Sequence, residues 1–158
     1  MSHVTCRASG FTLIEVLIVI AIIGLLASVV LVGLGSFRSR GRDTRRIADL
    51  RATQNGLELY YTKNGKYPAD ENWSELEKTL RTANIGVVKI SHDPSSRGSE
   101  FEYAYDTSDD LQSYVLRAQL EDGQNVALKE SYHGEVVIPG ISIDCTNTPT
   151  KPYYCIQF

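Results

Sequence analysis

Hydrophobic and polar positions divide this chain into three regimes. From Phe11 to Leu34, 24 residues run with a single ionisable side chain, Glu15. As a helix rising about 1.5 Å per residue the run would be about 36 Å long, against a bilayer hydrocarbon core of about 30 Å. It is expected to span a membrane with some tilt. From Ser36 to Lys63 the apolar residues thin to one stripe: Ile47, Leu50, Leu57 and Tyr61, with Gln54 in the remaining place of a 3-4-3-4 spacing. That spacing predicts that the same helix continues into water with one face against a core. Asn64-Gly65-Lys66-Tyr67-Pro68 ends it, because glycine suits a C-terminal cap and proline cannot continue a helix.

The third regime is strand-like after one more helix. Asn72 with Glu75 three residues on predicts a capping box, and Trp73, Leu76 and Leu80 form the apolar face of a short helix in which Trp73 packs. Phe101, Tyr103 and Tyr105 alternate with Glu102, Ala104 and Asp106. Tyr114, Leu116, Ala118 and Leu120 do the same against Val115, Arg117, Gln119 and Glu121. The acidic turn from Asp106 to Asp110 joins the two runs, Asp122-Gly123 ends the second, and 136–138 is expected to add a third strand before Pro139-Gly140. The fold class is α+β, with one long helix covering the apolar face of a small antiparallel sheet.

Glu15 changes the meaning of the first regime. A carboxylate in a membrane helix costs about 2.5–3.5 kcal/mol unless it has a partner. It stands five residues past Gly10 in G-F-T-L-I-E-V-L. This stretch, through Gly24, resembles the class III signal of type IV prepilins and type II secretion pseudopilins. The resemblance implies that a prepilin peptidase cuts between Gly10 and Phe11, that the new amino terminus at Phe11 is N-methylated, and that Glu15 supports assembly. Residues 1–10 are then a leader, 11–35 a transmembrane and assembly helix, 36–63 its amphipathic continuation, and 64–158 a pilin head. The stretch from Arg42 through L-E-L-Y-Y-T-K-N-G-K-Y-P also resembles pilins and pseudopilins. Where pilins commonly have a proline this chain has Val32, so any softening of the helix there falls to Gly33 and Gly35.

Charge is unevenly placed. Residues 1–62 carry seven Lys/Arg against four Asp/Glu, and residues 63–158 nine against fifteen. The acidic head argues against a nucleic-acid-binding face. Arg38, Arg40, Arg42, Arg45, Arg46 and Arg51 follow the apolar run and read as a solvated juxtamembrane face, with Asp43 and Asp49 placed to pair with Arg46 and Arg45. Basic residues after the span favour a cytoplasmic C-terminal part, whereas the signal and the cysteines favour the opposite side, which is the side expected here.

Without Cys6 in the leader, Cys145 and Cys155 remain. Two cysteines this close suggest a disulfide in an oxidising compartment, with a pair of buried thiols as the alternative. A bridge near the C terminus is a feature common in type IV pilins. No cofactor, metal or catalytic residue is expected. His92 and His133 lie in no nucleophile or metal motif, and a zinc site needs more ligands than two cysteines. Asp106, Asp109 and Asp110 raise calcium, which major pseudopilins bind in their C-terminal region, but the loop lacks their pattern and reads as an acidic hairpin.

The expected function is that of a filament subunit. It would wait in the inner membrane with its head outside the cytoplasm, then enter an extracellular pilus or a periplasmic pseudopilus. Its partners would be further copies, the prepilin peptidase, an inner-membrane assembly platform and membrane lipid. The pilus ranks first on the cysteine pair, the secretion pseudopilus second. A signal-anchored domain that binds a ligand is the alternative of a different class.

Overall fold

In the computed structural model the described residues are 11–70, 72–95 and 101–158, with the side chains of 29–34 excepted. Helix α1 runs Leu13–Asn64 and helix α2 Trp73–Thr82. Strands β1 (Ala104–Thr107), β2 (Tyr114–Gln119) and β3 (Tyr153–Gln157) follow, with a short 3-10 turn at Val126–Glu130. The chain forms two compact units, Met1–Arg38 and Ser39–Phe158. The second unit holds the expected head, 64–158, together with α1 from Ser39 onward.

The three strands form one antiparallel sheet in the order β1-β2-β3, with Tyr105 opposite Leu116 and Leu116 opposite Ile156. Tyr103, Tyr105, Tyr114, Leu116, Ala118, Tyr154 and Ile156 face one way and join Leu50 and Leu57 of α1 and Trp73, Leu76 and Leu80 of α2 in the main core. Ile47 and Tyr61 complete the α1 stripe as half-buried members, so the 3-4 spacing is the packing face. Asn72 caps α2 by accepting from Glu75 N (2.9 Å), and Trp73 Nε1 donates to Ser91 O (2.9 Å). Gly65, at φ +71°, closes α1 through its amide on Tyr61 O (2.7 Å), a left-handed C-terminal cap that glycine takes without strain.

The opposite face of the sheet carries a second, smaller cluster of Val115, Val136, Cys145 and Cys155, against which Tyr132, Ile138, Ile141, Ile143 and Tyr153 pack. Its cover, from Tyr132 to Thr146, contains only an isolated bridge between Gly134 and Cys145. The strand expected at 136–138 does not form. Ile138 O accepts from Ile141 N (3.1 Å) and Pro139 O from Asp109 N (3.1 Å), so the backbone there is spent on a turn and on the hairpin. Gly140 follows at φ +88°, where a Cβ would lie 2.6 Å from Asp109 N, so only glycine fits this approach. The third strand lies instead at Tyr153–Gln157, in a segment whose pattern shows no alternation. Tyr154 and Ile156 face one cluster while Tyr153 and Cys155 face the other, so both parities are apolar.

The arginine run is only partly a solvated face. Arg46 is fully buried together with Asp43. Its guanidinium donates to Asp43 Oδ1 (2.7 Å), Asp93 Oδ2 (2.5 Å) and Glu121 Oε1 (2.9 Å), and lies 4.7 Å from the centre of the Phe101 ring. Arg42 grips Glu121 with two bonds of 2.7 and 2.6 Å. Asp43 in turn accepts from the amides of Glu121 and Asp122, both at 2.9 Å. Arg42 and Arg46 hold the Glu121 carboxyl at about 2, well below the 4.5 of an ordinary glutamate, although burial opposes this. Burial also works against the charge of Asp93, but its bonds from Arg46 and Ser95 outweigh burial and lower its pKa. Asp70 has the opposite sign: burial raises its pKa, eased by Thr79 Oγ1 and reinforced by Glu75.

Removing Arg46 leaves three carboxylates without their shared cation, and breaking such a buried group costs about 3–5 kcal/mol. Arg46→Met is expected to lose that much in urea unfolding of the full chain in detergent. Glu121 and Asp93 titrate below their unfolded values, so their contribution is complete above pH about 4.5 and is lost as the pH falls toward about 2. The wild type should therefore lose stability steeply over that window and Arg46→Met much less. Equal acid slopes in the two proteins would contradict this account.

Candidate functional site

The N-terminal part of α1 presents apolar side chains in every direction. All twelve large apolar residues between Phe11 and Leu26 are more than half exposed within the single chain. Burying the exposed half of so many side chains is worth on the order of 10 kcal/mol, so water is the wrong surrounding for this segment. An all-round apolar helix belongs among lipids or other helices. Among the described residues no helix is long and apolar enough to cross a membrane. Side chains of the expected 11–35 span are described at 11–28 and at Gly35, and the backbone is helical past Val32 and Gly33 as far as Asn64.

Glu15 has a local partner. Thr12 precedes the first helical residue and its hydroxyl accepts from Glu15 N (3.3 Å), while Glu15 Oε2 accepts from Thr12 N (2.9 Å) and Thr12 Oγ1 (2.8 Å). This is a reciprocal capping box, T-x-x-E, which satisfies two of the amides a helix start leaves open. It gives Glu15 a task inside its own chain that the spacing from Gly10 had not suggested, although the T-L-I-E motif carries the signal. Phe11 is 87% exposed. Gly10, the other half of the expected cleavage site, lies outside the described residues, as does the whole expected leader.

Cys145 and Cys155 are joined in a disulfide, 2.00 Å between sulfurs and 6.1 Å between Cα atoms. Both are buried, at the centre of the outer cluster. The bridge fastens the irregular cover to β3, whose outer edge is also occupied: Cys155 N donates to Ser131 Oγ (2.9 Å), Tyr132 N to Cys155 O (3.1 Å) and Tyr153 N to Asn147 Oδ1 (2.5 Å). An edge blunted in this way resists strand pairing with other chains.

The remaining polar candidates have structural partners. Asp106 Oδ2 accepts from Ser142 N (2.7 Å) and Ser142 Oγ (2.9 Å), and Asp110 Oδ1 from Ser108 Oγ (2.5 Å) and Gln112 N (3.1 Å). The carboxylates of Asp106 and Asp110 thus serve the hairpin and the loop beside it, Asp109 joins through its backbone amide on Pro139 O, and among the described residues no three metal-ligating side chains gather. His92 Nε2 meets Glu77 Oε2 (2.9 Å), and His133 Nδ1 meets Asn147 Nδ2 (2.8 Å).

Comparison with known proteins bears on the apolar segment. A family model described as the prokaryotic N-terminal methylation motif matches residues 6–31. The chain carries a prepilin signal. It is also similar to the type II secretion system core protein G of Aeromonas hydrophila, 40% identical over 65 residues, which is 41% of this chain and 46% of that one. The core protein G of Vibrio cholerae is 33% identical over 76 residues, 48% of this chain and 52% of the relative. The fimbrial protein EcpC of Eikenella corrodens is 32% identical over 82 residues, 52% and 54%. The chain thus spans about half the length of the curated relatives it matches. No solved structure matches. The prepilin signal falls on the exposed apolar helix with Glu15 in its first turn, and the long helix on a small antiparallel sheet is a pilin-like fold.

The disulfide yields a local prediction. Closing a loop of this size is worth about 2–4 kcal/mol. Cys155→Ser should lower stability by that amount and remove amide-exchange protection from 132–146 while α2 stays protected, because α2 packs in the other cluster. Loss of protection throughout the head would show that the two clusters fold as one. Thiol labelling of the unreduced wild type should find neither Cys145 nor Cys155 reactive.

Proposed function

We propose that this chain is a structural subunit of a filament of the type IV pilus and type II secretion class, without catalytic function. The observation that carries the proposal is the all-round exposed apolar helix bearing one carboxylate, under a match to the prepilin signal. A prepilin peptidase removes residues 1–10, and methylation follows at Phe11. The processed subunit waits in the inner membrane through residues 11–35, with its head outside the cytoplasm and its assembly platform beside it. Assembly moves the apolar helices from lipid into a core of like helices and leaves the acidic heads outside.

In that core the amine of Phe11 on one subunit meets Glu15 of another. A buried charge needs a counter-charge, and this pair sets the axial step between helices. Glu15 reaches its neighbour by exchanging the Thr12 bonds for the amine, so a single carboxylate serves both the waiting and the assembled subunit.

A second reading within the class is supported by the relatives named core protein G: a periplasmic pseudopilus rather than a surface pilus. The disulfide supports the pilus, in keeping with the bridges common in type IV pilins. Nucleic acid is not among the proposed partners.

Two experiments test the proposal. Co-expression with a prepilin peptidase should give an intact mass lacking ten residues and carrying one methyl group; a retained leader would overturn the processing step. In Glu15→Leu the neighbouring amine loses its counter-charge, a loss of about 3–5 kcal/mol at every subunit. Normal insertion and cleavage with no sheared filaments is the expected phenotype. Wild-type filament yield from Glu15→Leu would exclude the pairing and leave the anchored, ligand-binding domain as the better description.

A further inference from the structure

A cleft of about 690 Å³ opens on the head between the 3-10 turn and the loop closed by the disulfide. Its apolar lining is Leu128 and Pro152, both buried, with Pro149 exposed beside them, and the exposed Gln124, Lys129 and His133 also line it. Its volume lies within the usual 300–1,000 Å³ of small-molecule sites, and an apolar floor with a few polar groups is their usual lining.

The rim is organised to donate. Tyr153 N donates to Asn147 Oδ1 (2.5 Å), which sets that amide and turns its Nδ2 toward His133 Nδ1 (2.8 Å). An amide nitrogen only donates, so Nδ1 accepts and the proton of the neutral ring stands on Nε2. Among the described residues no side-chain partner is found for Lys129 or Gln124, and both line the cleft. Among the described residues no carboxylate lines it, although the head is net acidic. Asp122, next to the lining, is engaged on both oxygens: one accepts from Gln124 N (3.0 Å) and the other lies 3.4 Å from Arg40 Nε. A cleft lined by an ammonium and two further N–H donors, with its one adjacent carboxylate already hydrogen-bonded and ion-paired, complements an anion.

We infer that this cleft binds a small organic carboxylate, its charge on Lys129 and His133 Nε2–H and its apolar body on Leu128, Pro149 and Pro152. The cleft lies wholly in the head, so this inference is independent of how the apolar helix assembles.

Benzoate is a suitable probe, titrated into the processed full-length protein in detergent and followed by ¹H–¹⁵N spectra of backbone and histidine side chains. Saturable shifts confined to Gln124, Lys129, His133 and Asn147 are expected. Benzyl alcohol, of the same shape without the charge, should bind at least about tenfold more weakly, the value of one charge-assisted hydrogen bond. Lys129→Gln should weaken benzoate by a similar factor with the spectrum otherwise unchanged. Shifts scattered over the surface, equal binding of the alcohol, or full affinity in Lys129→Gln would each overturn the inference. So would inorganic phosphate saturating the same signals as tightly as benzoate, since the apolar floor would then contribute nothing.

Discussion

The head is held in register by one buried cation. Arg46 contacts three carboxylates from three places in the chain: Asp43 on its own helix, Asp93 after α2, and Glu121 just past β2. A fully buried arginine carries a large desolvation cost, which is offset only when its donors are matched with good geometry. That requirement acts as an address. The apolar stripe of α1 could slide by a turn against the sheet and still bury leucines, but Arg46 would then meet no carboxylate. Hydrophobic packing supplies most of the affinity between helix and sheet, and the ion cluster selects one register from those that packing alone would accept.

The two faces of the sheet are covered by different physical means. The inner face meets two helices, whose backbone bonds are internally satisfied and whose side chains deliver a dense aromatic and aliphatic core. The outer face meets an irregular segment that cannot satisfy its own backbone and is tied down point by point: Asp106 to Ser142, Asp109 to Pro139, Arg117 to Asp144 O, and the disulfide. Such a cover is economical in sequence length and depends on covalent closure. It also frames the cleft, whose rim includes Asn147 and Thr148 from within the closed loop.

At the other end of the chain the constraint is solvent. An apolar helix exposed on all sides has no stable place in water, and Glu15 is tolerated at its start because Thr12 returns two hydrogen bonds to it. In the proposed filament the same carboxylate would accept the amine of a neighbouring subunit in place of the Thr12 bonds.

The residue pattern determined the local elements. The α1 stripe, the Asn72 cap with Trp73, Leu76 and Leu80, and the β1–β2 alternation are all legible because their physics acts within about one turn or one strand pair. Tertiary structure decided what local patterns cannot encode. β3 was hidden because both of its faces are buried and alternation vanishes. No strand forms at 136–138, where the Ile138 carbonyl serves a turn and that of the following Pro139 serves the hairpin. Arg46 looked like one solvated arginine of six, since its nearest sequence partner, Asp43, explains an exposed pair equally well. Only the arrival of Asp93 and Glu121, 47 and 75 residues away, makes burial of that charge possible.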